Sequence, residues 1–217
     1  MGLLKLCRGD EMKQLRISNQ WTKKFFCIAR CLYASDFAKE RQIETKQKYY
    51  FLAISWYPEK QVILATDALM MLIWKVNDTE LLKWLKQFDK QTFFEYNTGV
   101  LEEVGLPAQY AKYTAVDYSK FVGKYKSYSK FEDLDMEAFE NLGVNYSTTL
   151  LEYACIVSKS RFRPLHFERI SALGKCNTIE YDETKEEYPV MLKMNEHRLM
   201  CVVMPLRKDR IMRYDKK

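Results

Sequence analysis

The sequence predicts an α+β fold in which helices pack on antiparallel sheets, arranged as two related halves that each combine a helix with strands. Segments 21–33 and 79–88 place apolar residues at helical spacing. Apolar runs of strand length flank short polar turns at 57–60 and again at 195–197. Helices combined with such hairpins indicate helices packed on one face of antiparallel sheets.

The two helices of the first half are predicted from the period of their apolar residues. The first covers 21–33, where the basic residues fall off the apolar stripe. The second covers 79–88 and begins with Asp78 or Thr79, both of which are suited to capping a helix N-terminus.

The strands of the first half are predicted from short β-rich runs. Two of these runs flank the turn 57–60, and a third covers 69–76, so the three form a small antiparallel meander. A further short strand is predicted at 91–96. The segment 99–132 has no sustained period and is predicted as a loop with uncertain strands.

The second half has weaker signals. Residues 133–142 carry a short helical pattern, and 146–158 is predicted as a helix although its β-branched residues weaken that pattern. Three strand-like segments follow, at 176–181, 188–194 and 198–206.

The segments LAISWYPEKQVILAT and VMLKMNEHRLMCVVM share one order of apolar strand, polar turn and apolar strand. This similarity predicts a duplicated helix-plus-strands unit. The predicted divisions are an N-terminal extension at 1–19, a first half at 20–112, an irregular connection at 113–139, a second half at 140–207 and a basic tail at 208–217.

Composition indicates a folded protein of the cytoplasm. Of the 217 residues, 47% are apolar and 14% are aromatic, which is far more than a disordered chain carries. The longest apolar stretch, 68–74, is much shorter than the roughly 18 residues that a membrane helix needs. The first residues lack the apolar core of a secretory signal. A soluble, cytoplasmic chain is therefore expected.

Charge and cysteine content add two expectations. Lysine and arginine number 35 against 29 acidic residues, for a net charge of +6. Such a mild excess permits contact with nucleic acid without requiring it. The six cysteines are scattered without a CxxC pair, so reduced thiols are expected.

Catalytic and metal-binding patterns are sparse. His166 and His197 lie in no metal-ligand or nucleophile motif, and each is predicted to be a surface histidine or one with satisfied hydrogen bonds. Cys27 and Cys31 lie four residues apart on the first helix, where core packing is the preferred interpretation. No glycine-rich phosphate loop occurs. The prediction is a protein without enzymatic activity, cofactor or metal.

One enzymatic alternative stays open. Four carboxylates could hold the metal of a nuclease built on an unrelated α+β scaffold. Runs of this kind are more often solvated. These carboxylates are Asp133, Asp135, Glu137 and Glu140.

Two segments carry a resemblance to a known family. Within 62–76, the residues Ala65-Thr66-Asp67 match the strand and turn written ATDGHRL in bacterial DNA sliding clamps, the polymerase III beta subunits that form the processivity ring of the replicative polymerase. The segment ending CVVMPLR at Arg207 resembles the last strand of the same family, which closes with Met-Pro-Met-Arg.

Two further short sequence matches occur in the same order as in the clamps. Residues 116–122 (VDYSKFV) are similar to the Pro-Asp-Tyr sequence between clamp domains, and Asn145 precedes a predicted helix as a similar asparagine does there. The departures are also specific, because Ala68 and Leu69 replace the glycine and histidine of the motif. Clamp chains have three domains and are far longer, so the resemblance implies a short, divergent member without implying the ring geometry.

The resemblance implies a non-enzymatic replication accessory protein that holds DNA without reading its sequence. In clamps this is done by lysine and arginine on the helices that line the hole, which contact phosphates. The alternative for such residues is a solvated helix face. The positions that correspond here are Lys23, Lys24, Arg30, Lys83 and Lys86.

The resemblance also implies an apolar cleft that accepts short peptides from polymerases and repair proteins. Methionines suit such a cleft because their side chains repack around different ligands. The alternative is ordinary sheet packing. The positions carried over are Thr66, Leu69, Met71, Val202, Met204, Pro205 and Arg207.

A homo-oligomer that encircles DNA is the expected assembly. The principal rival is a monomeric interaction module that binds replication proteins without a ring.

Overall fold

The computed structural model describes residues 13–34, 53–105, 155–157, 160–181 and 188–205. Within them, nine strands form one antiparallel sheet, and helices pack against it, so the α+β prediction is confirmed. The strands are β1 (Gln14–Arg16), β2 (Ile54–Tyr57), β3 (Val62–Thr66), β4 (Met70–Lys75), β5 (Thr92–Asn97), β6 (Val100–Val104), β7 (Cys155–Val157), β8 (Ser160–Phe162), β9 (Thr178–Glu180), β10 (Val190–Met194) and β11 (Leu199–Val203). The helices are α1 (Gln20–Tyr33), α2 (Thr79–Leu85) and α3 (Pro164–Ser171).

The large sheet joins strands from both ends of the chain. Its order is β1-β6-β5-β2-β3-β4-β11-β10-β9, and β7 and β8 form a separate pair. The meander predicted for β2, β3 and β4 is confirmed. Strand β4 then pairs with β11, with Met71 opposite Val202. This pairing places a strand from the first predicted half beside one from the second.

Helix α1 begins and ends close to its predicted bounds. The Asn19 side chain caps it by accepting a hydrogen bond of 3.0 Å from the Thr22 amide. The buried side includes Phe25, Phe26 and Leu32. These positions fall on one stripe because a helix turns by about 100° per residue.

Helix α2 is capped by Asp78, one of the two predicted caps. One carboxylate oxygen of Asp78 accepts from the Leu81 amide at 3.0 Å, and the other accepts from the Thr22 hydroxyl at 2.6 Å. The same side chain therefore fixes the start of α2 against the first turn of α1. The helix ends at Leu85, and the predicted last turn is a tighter one, in which the Phe88 amide donates to the Leu85 carbonyl.

The sheet carries a separate cluster of buried apolar residues on each face. Along β4, Met70, Leu72 and Trp74 belong to a large core cluster that also contains buried residues of α1, α2 and α3. Met71 and Ile73 alternate with them and point to the other side. We call the first side the helix face and the second the opposite face. The smaller cluster on the opposite face comprises Val62, Leu64, Met71, Ile73, Met191 and Val202.

Helix α1 is also tied to the second half of the chain. The Trp21 indole nitrogen donates to the Leu173 carbonyl at 2.7 Å, and its ring stacks on the His197 imidazole with centroids 4.1 Å apart. His197 lies in the turn between β10 and β11, where the sequence predicted a turn. A half-buried aromatic pair thus connects α1 to this hairpin.

Several sequence predictions need correction. The helix predicted at 146–158 is wrong at its end, because residues 155–157 form a strand that pairs with β8. The segment 99–132, predicted as a loop with uncertain strands, does contain a strand, β6, which pairs with both β5 and β1. Helix α3 was not predicted. It starts with Pro164, which the first helical position accepts without losing a hydrogen bond.

Some predictions lie outside the described residues. These are the helical pattern at 133–142, the clamp-like sequence matches at 116–122 and Asn145, and the basic tail at 208–217. Within the described part of the chain, no helix is both long enough and apolar enough to cross a membrane.

Candidate functional site

The two segments that resemble sliding clamps lie next to each other in the sheet. They belong to β3, β4 and the turn between them, and to β11 with the residues that follow it. The Met204 amide donates to the Leu69 carbonyl at 2.7 Å, which extends the β4–β11 pairing by one position beyond the strands. The fold therefore brings together residues that are far apart in the sequence.

The candidate cleft residues share the opposite face. Met71 and Val202 belong to its buried cluster. Thr66, Leu69 and Met204 occupy positions of the same parity along paired strands or their direct continuation, so alternation assigns them to that face as well. We call these five residues the methionine patch.

Exposure differs within the methionine patch. Met71 and Val202 are buried, as sheet packing would require, and form a floor. Leu69 and Met204 are half-buried and therefore reachable from solvent. Pro205 is buried directly after Met204, and Arg207 lies outside the described residues. The sequence did not distinguish floor from rim, because both classes are apolar.

Thr66 precedes the turn between β3 and β4, and its side chain bonds to the backbone of that turn. Its hydroxyl donates to the Met70 carbonyl at 2.7 Å and accepts from the Ala68 amide at 3.0 Å. The buried Asp67 carboxylate accepts from the amides of Leu69 at 2.9 Å and Met70 at 2.7 Å. Short polar side chains that bond to nearby backbone amides are typical of such turns.

The turn passes through Ala68 with a φ of 70°. Only glycine adopts this left-handed region without a steric cost, and other residues lose about 1 to 2 kcal/mol there. The clamp motif has glycine at this position. This chain therefore forms the turn with a strained alanine, held by the hydrogen bonds of Thr66 and Asp67.

His166 of α3 lies close to this turn and is buried. Neither of its ring nitrogens has a hydrogen-bond partner among the described residues, so the prediction of a surface or satisfied histidine is wrong for His166. Burial lowers the pKa of His166 to about 4. The nearby Asp67 carboxylate opposes this shift, and the positive charges of Arg169 and Arg163 add to it.

His197 is the other histidine and is half-buried against Trp21. Its Nε2 lies 3.9 Å from a carboxylate oxygen of Glu196. Burial lowers the pKa of His197, and the Glu196 carboxylate acts in the other direction. This histidine is part of the contact between α1 and the β10–β11 turn.

The candidate DNA-binding cations lie on the helix face. Both α1 and α2 bury their apolar sides in the large core cluster, so their polar sides point away from the sheet on the side opposite to the methionine patch. Lys23 is half-buried, whereas the others are exposed: Lys24, Arg30, Lys83 and Lys86.

The two helical cysteines are exposed, which corrects the prediction of core packing. Cysteine is usually a buried residue, and that preference favoured the core. The helical phase decides otherwise, because Phe25, Ala29 and Leu32 occupy the packing side of α1 and turn Cys27 and Cys31 toward solvent.

In the described segments, no group of three or more histidine, cysteine, aspartate or glutamate side chains could hold a metal ion. The carboxylates on which the nuclease alternative depends, Asp133, Asp135, Glu137 and Glu140, lie outside those segments.

Sequence comparisons find no relative. No protein-family model matches the chain, and no curated protein matches it.

Comparison with solved structures finds bacterial sliding clamps. DNA polymerase III subunit beta from Borrelia burgdorferi, solved with a natural product, covers 94% of this chain and is 11% identical, with a TM-score of 0.49. The DnaN sliding clamp from Bartonella birtlesii bound to griselimycin gives the same three values, and the Bacillus subtilis clamp covers 95% at 10% identity with a TM-score of 0.47. This chain spans 67% to 69% of the length of these clamps.

Proposed function

We propose that this chain is a non-enzymatic, sliding-clamp-like accessory protein of DNA replication that docks short peptides on the methionine patch. The observation that carries the proposal is the adjacency of the two clamp-like segments. Each was matched separately in the sequence, and the Leu69–Met204 hydrogen bond holds them together on one face. The helices of the described segments pack on the other side of the sheet.

The chemistry of the methionine patch suits an apolar peptide. Leu69 and Met204 offer half-exposed apolar side chains above the buried floor of Met71 and Val202. Methionine has an unbranched and polarizable side chain, so it adapts to differently shaped apolar groups. An extended peptide with apolar side chains is therefore the ligand class that the methionine patch favours.

Replacing Met204 with alanine tests the docking site. We expect about a tenfold loss of affinity for peptides selected from a short random-sequence library on the unmodified chain, because a docked methionine side chain contributes roughly 1.5 kcal/mol or more. Fluorescence anisotropy of the labelled peptides measures the affinity.

Met200→Ala is the matched control for this experiment. Met200 is also half-buried on β11 but lies toward the other end of that strand. It should retain the peptide affinity. Equal losses in the two variants, or no loss in Met204→Ala, would show that the methionine patch is not the docking site.

The proposal includes DNA binding through the helix face, without sequence specificity. Exposed cations on α1 and α2 can contact phosphates and release counterions from the duplex. Lys24→Glu is expected to lower duplex affinity and to reduce the slope of log affinity against log salt by about one. Lys75→Glu changes the charge by the same amount. Lys75 lies two residues after Ile73 on β4, so strand alternation places it on the opposite face, and its replacement should reduce duplex affinity less. Equal effects of the two variants would contradict a helix-face DNA site.

The proposed assembly is a homo-oligomer that encloses DNA. A cyclic oligomer gives topological attachment, because only a closed ring can slide without dissociating. The alternative function is a monomeric module that binds replication proteins. Light scattering over a range of protein concentrations separates them, since the first requires a discrete oligomer and the second a single-chain mass.

A further inference from the structure

A pocket on the helix face has no role in the proposed peptide docking. It has a volume of about 600 Å³ and lies between the C-terminal half of α1, the turn that joins β5 to β6, and α3. Its wall includes Cys27, Arg30, Cys31, Tyr96, Thr98 and Arg169. Three separate parts of the chain thus converge on one concave site.

Among the described residues, the two charged side chains that line this pocket are both arginines. Arg30 and Arg169 both line it, and no acidic residue of the described segments does. Neither arginine forms an ion pair with a described aspartate or glutamate. Two like charges that share a cavity repel each other, and an anion bound between them would remove that repulsion.

The remaining wall fits a phosphate group. Each guanidinium presents a planar set of N–H donors that matches phosphate oxygens in a bidentate manner. Thr98, whose side chain carries a hydroxyl group, lines the pocket from the β5–β6 turn, where Thr98 and Gly99 have φ of 46° and 86°. The apolar surface of Tyr96 and of the cysteines strengthens these electrostatic contacts by excluding part of the water.

We propose that this pocket binds a phosphate group, with Arg30 and Arg169 as its principal ligands. The phosphate is carried by a free nucleotide or by a nucleic-acid backbone. In the second case the inference rests on the proposed DNA-binding helix face and adds Arg169 of α3 to it.

The two exposed thiols in the wall provide a local readout. Maleimide labelling of the full chain, followed by peptide mass spectrometry, reports Cys27 and Cys31 separately from the other cysteines. Burial raises the pKa of Cys176 to about 11 and raises that of Cys201, so these two label slowly and serve as internal references. The probes are deoxyadenosine monophosphate and a blunt DNA duplex, each compared with potassium chloride at equal ionic strength.

We expect at least one probe to slow the labelling of Cys27 and Cys31 by about tenfold, and Arg169→Gln to abolish most of that protection. Lys90→Gln, which removes an exposed cation outside the pocket, should preserve it. Protection by the mononucleotide identifies a free nucleotide as a sufficient ligand, and protection by the duplex alone identifies the backbone. Both outcomes support the phosphate pocket.

Two results would overturn the inference. One is labelling that neither probe slows relative to potassium chloride. The other is protection by the duplex that Lys24→Glu abolishes but Arg169→Gln leaves intact. That second pattern would keep the proposed DNA-binding face and reject the pocket. Conversely, protection by deoxyadenosine monophosphate without any duplex binding would keep the pocket and reject the DNA-binding proposal.

Discussion

Replacing His166 with leucine is expected to stabilise the protein, and to do so most strongly at mildly acidic pH. The imidazole is buried, and no residue in the described part of the chain is a hydrogen-bond partner of either ring nitrogen. A buried polar group without a hydrogen bond costs about 1 to 3 kcal/mol, whereas leucine has a similar volume and no polar atom. At neutral pH we therefore expect a gain in the free energy of unfolding within that range.

The pH dependence of this effect follows from the pKa of His166. Burial lowers that pKa from 6.5 to about 4 in the folded chain. Between these values the unfolded chain binds the proton and the folded chain does not, so stability falls as the pH falls from 6.5 toward 4. The loss amounts to about 3 kcal/mol for a group shifted this far, and His166→Leu removes it.

Denaturant unfolding of both chains across this pH range measures the difference. Carboxylates titrate in both proteins, so their contribution largely cancels when the two curves are subtracted. His197→Asn serves as the control, because His197 is only half-buried and its replacement should leave most of the pH dependence in place. Parallel curves for the original chain and His166→Leu would show that His166 is not the buried neutral group described here.

The elements with strong local signals were predictable from sequence. The predicted segment 21–33 begins only one residue after the observed start of α1, because the apolar stripe from which it was predicted is the side of the helix that is buried. The polar turns around 57–60 and 195–197, each between two apolar runs, correctly predicted the positions of β2, β3, β10 and β11. In these segments the local period and the tertiary packing favour the same structure.

The elements that were missed depend on distant partners. Helix α3 has only eight residues and a mixed composition, and its Phe167 packs edge to face against Phe162 of β8. Cys155–Val157 could continue a helical pattern, but its pairing with β8 makes it a strand. Tertiary contact overrides a weak local preference in both cases.

The candidate sites also differ in whether a local sequence signal predicts them. The two halves of the methionine patch were found because each carries a short contiguous motif. The phosphate pocket carries none, since Arg30, Thr98 and Arg169 come from three separate elements that only the fold brings together. His166 carries no such motif either, because no spacing rule detects a histidine that becomes buried without a hydrogen-bond partner in the described segments.

Replacing Asp67 with alanine is expected to have the largest destabilising effect at the methionine patch. The buried carboxylate accepts two hydrogen bonds from the amides of Leu69 and Met70. Alanine leaves both amides without that acceptor, at a cost of about 2 kcal/mol in the free energy of unfolding. Denaturant unfolding at neutral pH measures the loss.

Asp67→Asn is the matched control, because an asparagine side chain keeps one carbonyl oxygen as the acceptor and is well suited to turns. We expect it to cost less than about 1 kcal/mol. Comparable losses for alanine and asparagine would show that the charge, and not the two hydrogen bonds, supports the turn.

Ala68→Gly should act in the opposite direction at the next position. It relieves the strain of an alanine at a φ of 70°, and part of this gain is offset by the greater freedom of glycine in the unfolded chain. The net gain is expected to be about 0.5 to 1 kcal/mol. A loss of stability in Ala68→Gly would contradict the strained turn.

These turn variants also separate stability from peptide binding. The Leu69 carbonyl that anchors Met204 lies between the two amides that Asp67 orders, so a loosened turn moves both rim residues of the methionine patch. Under conditions where every variant is fully folded, Asp67→Ala should still bind the selected peptides more weakly than Asp67→Asn does. Equal peptide affinities would mean that the patch keeps its shape without the turn, and peptide docking would then depend on Met204 and its neighbours in β11 alone.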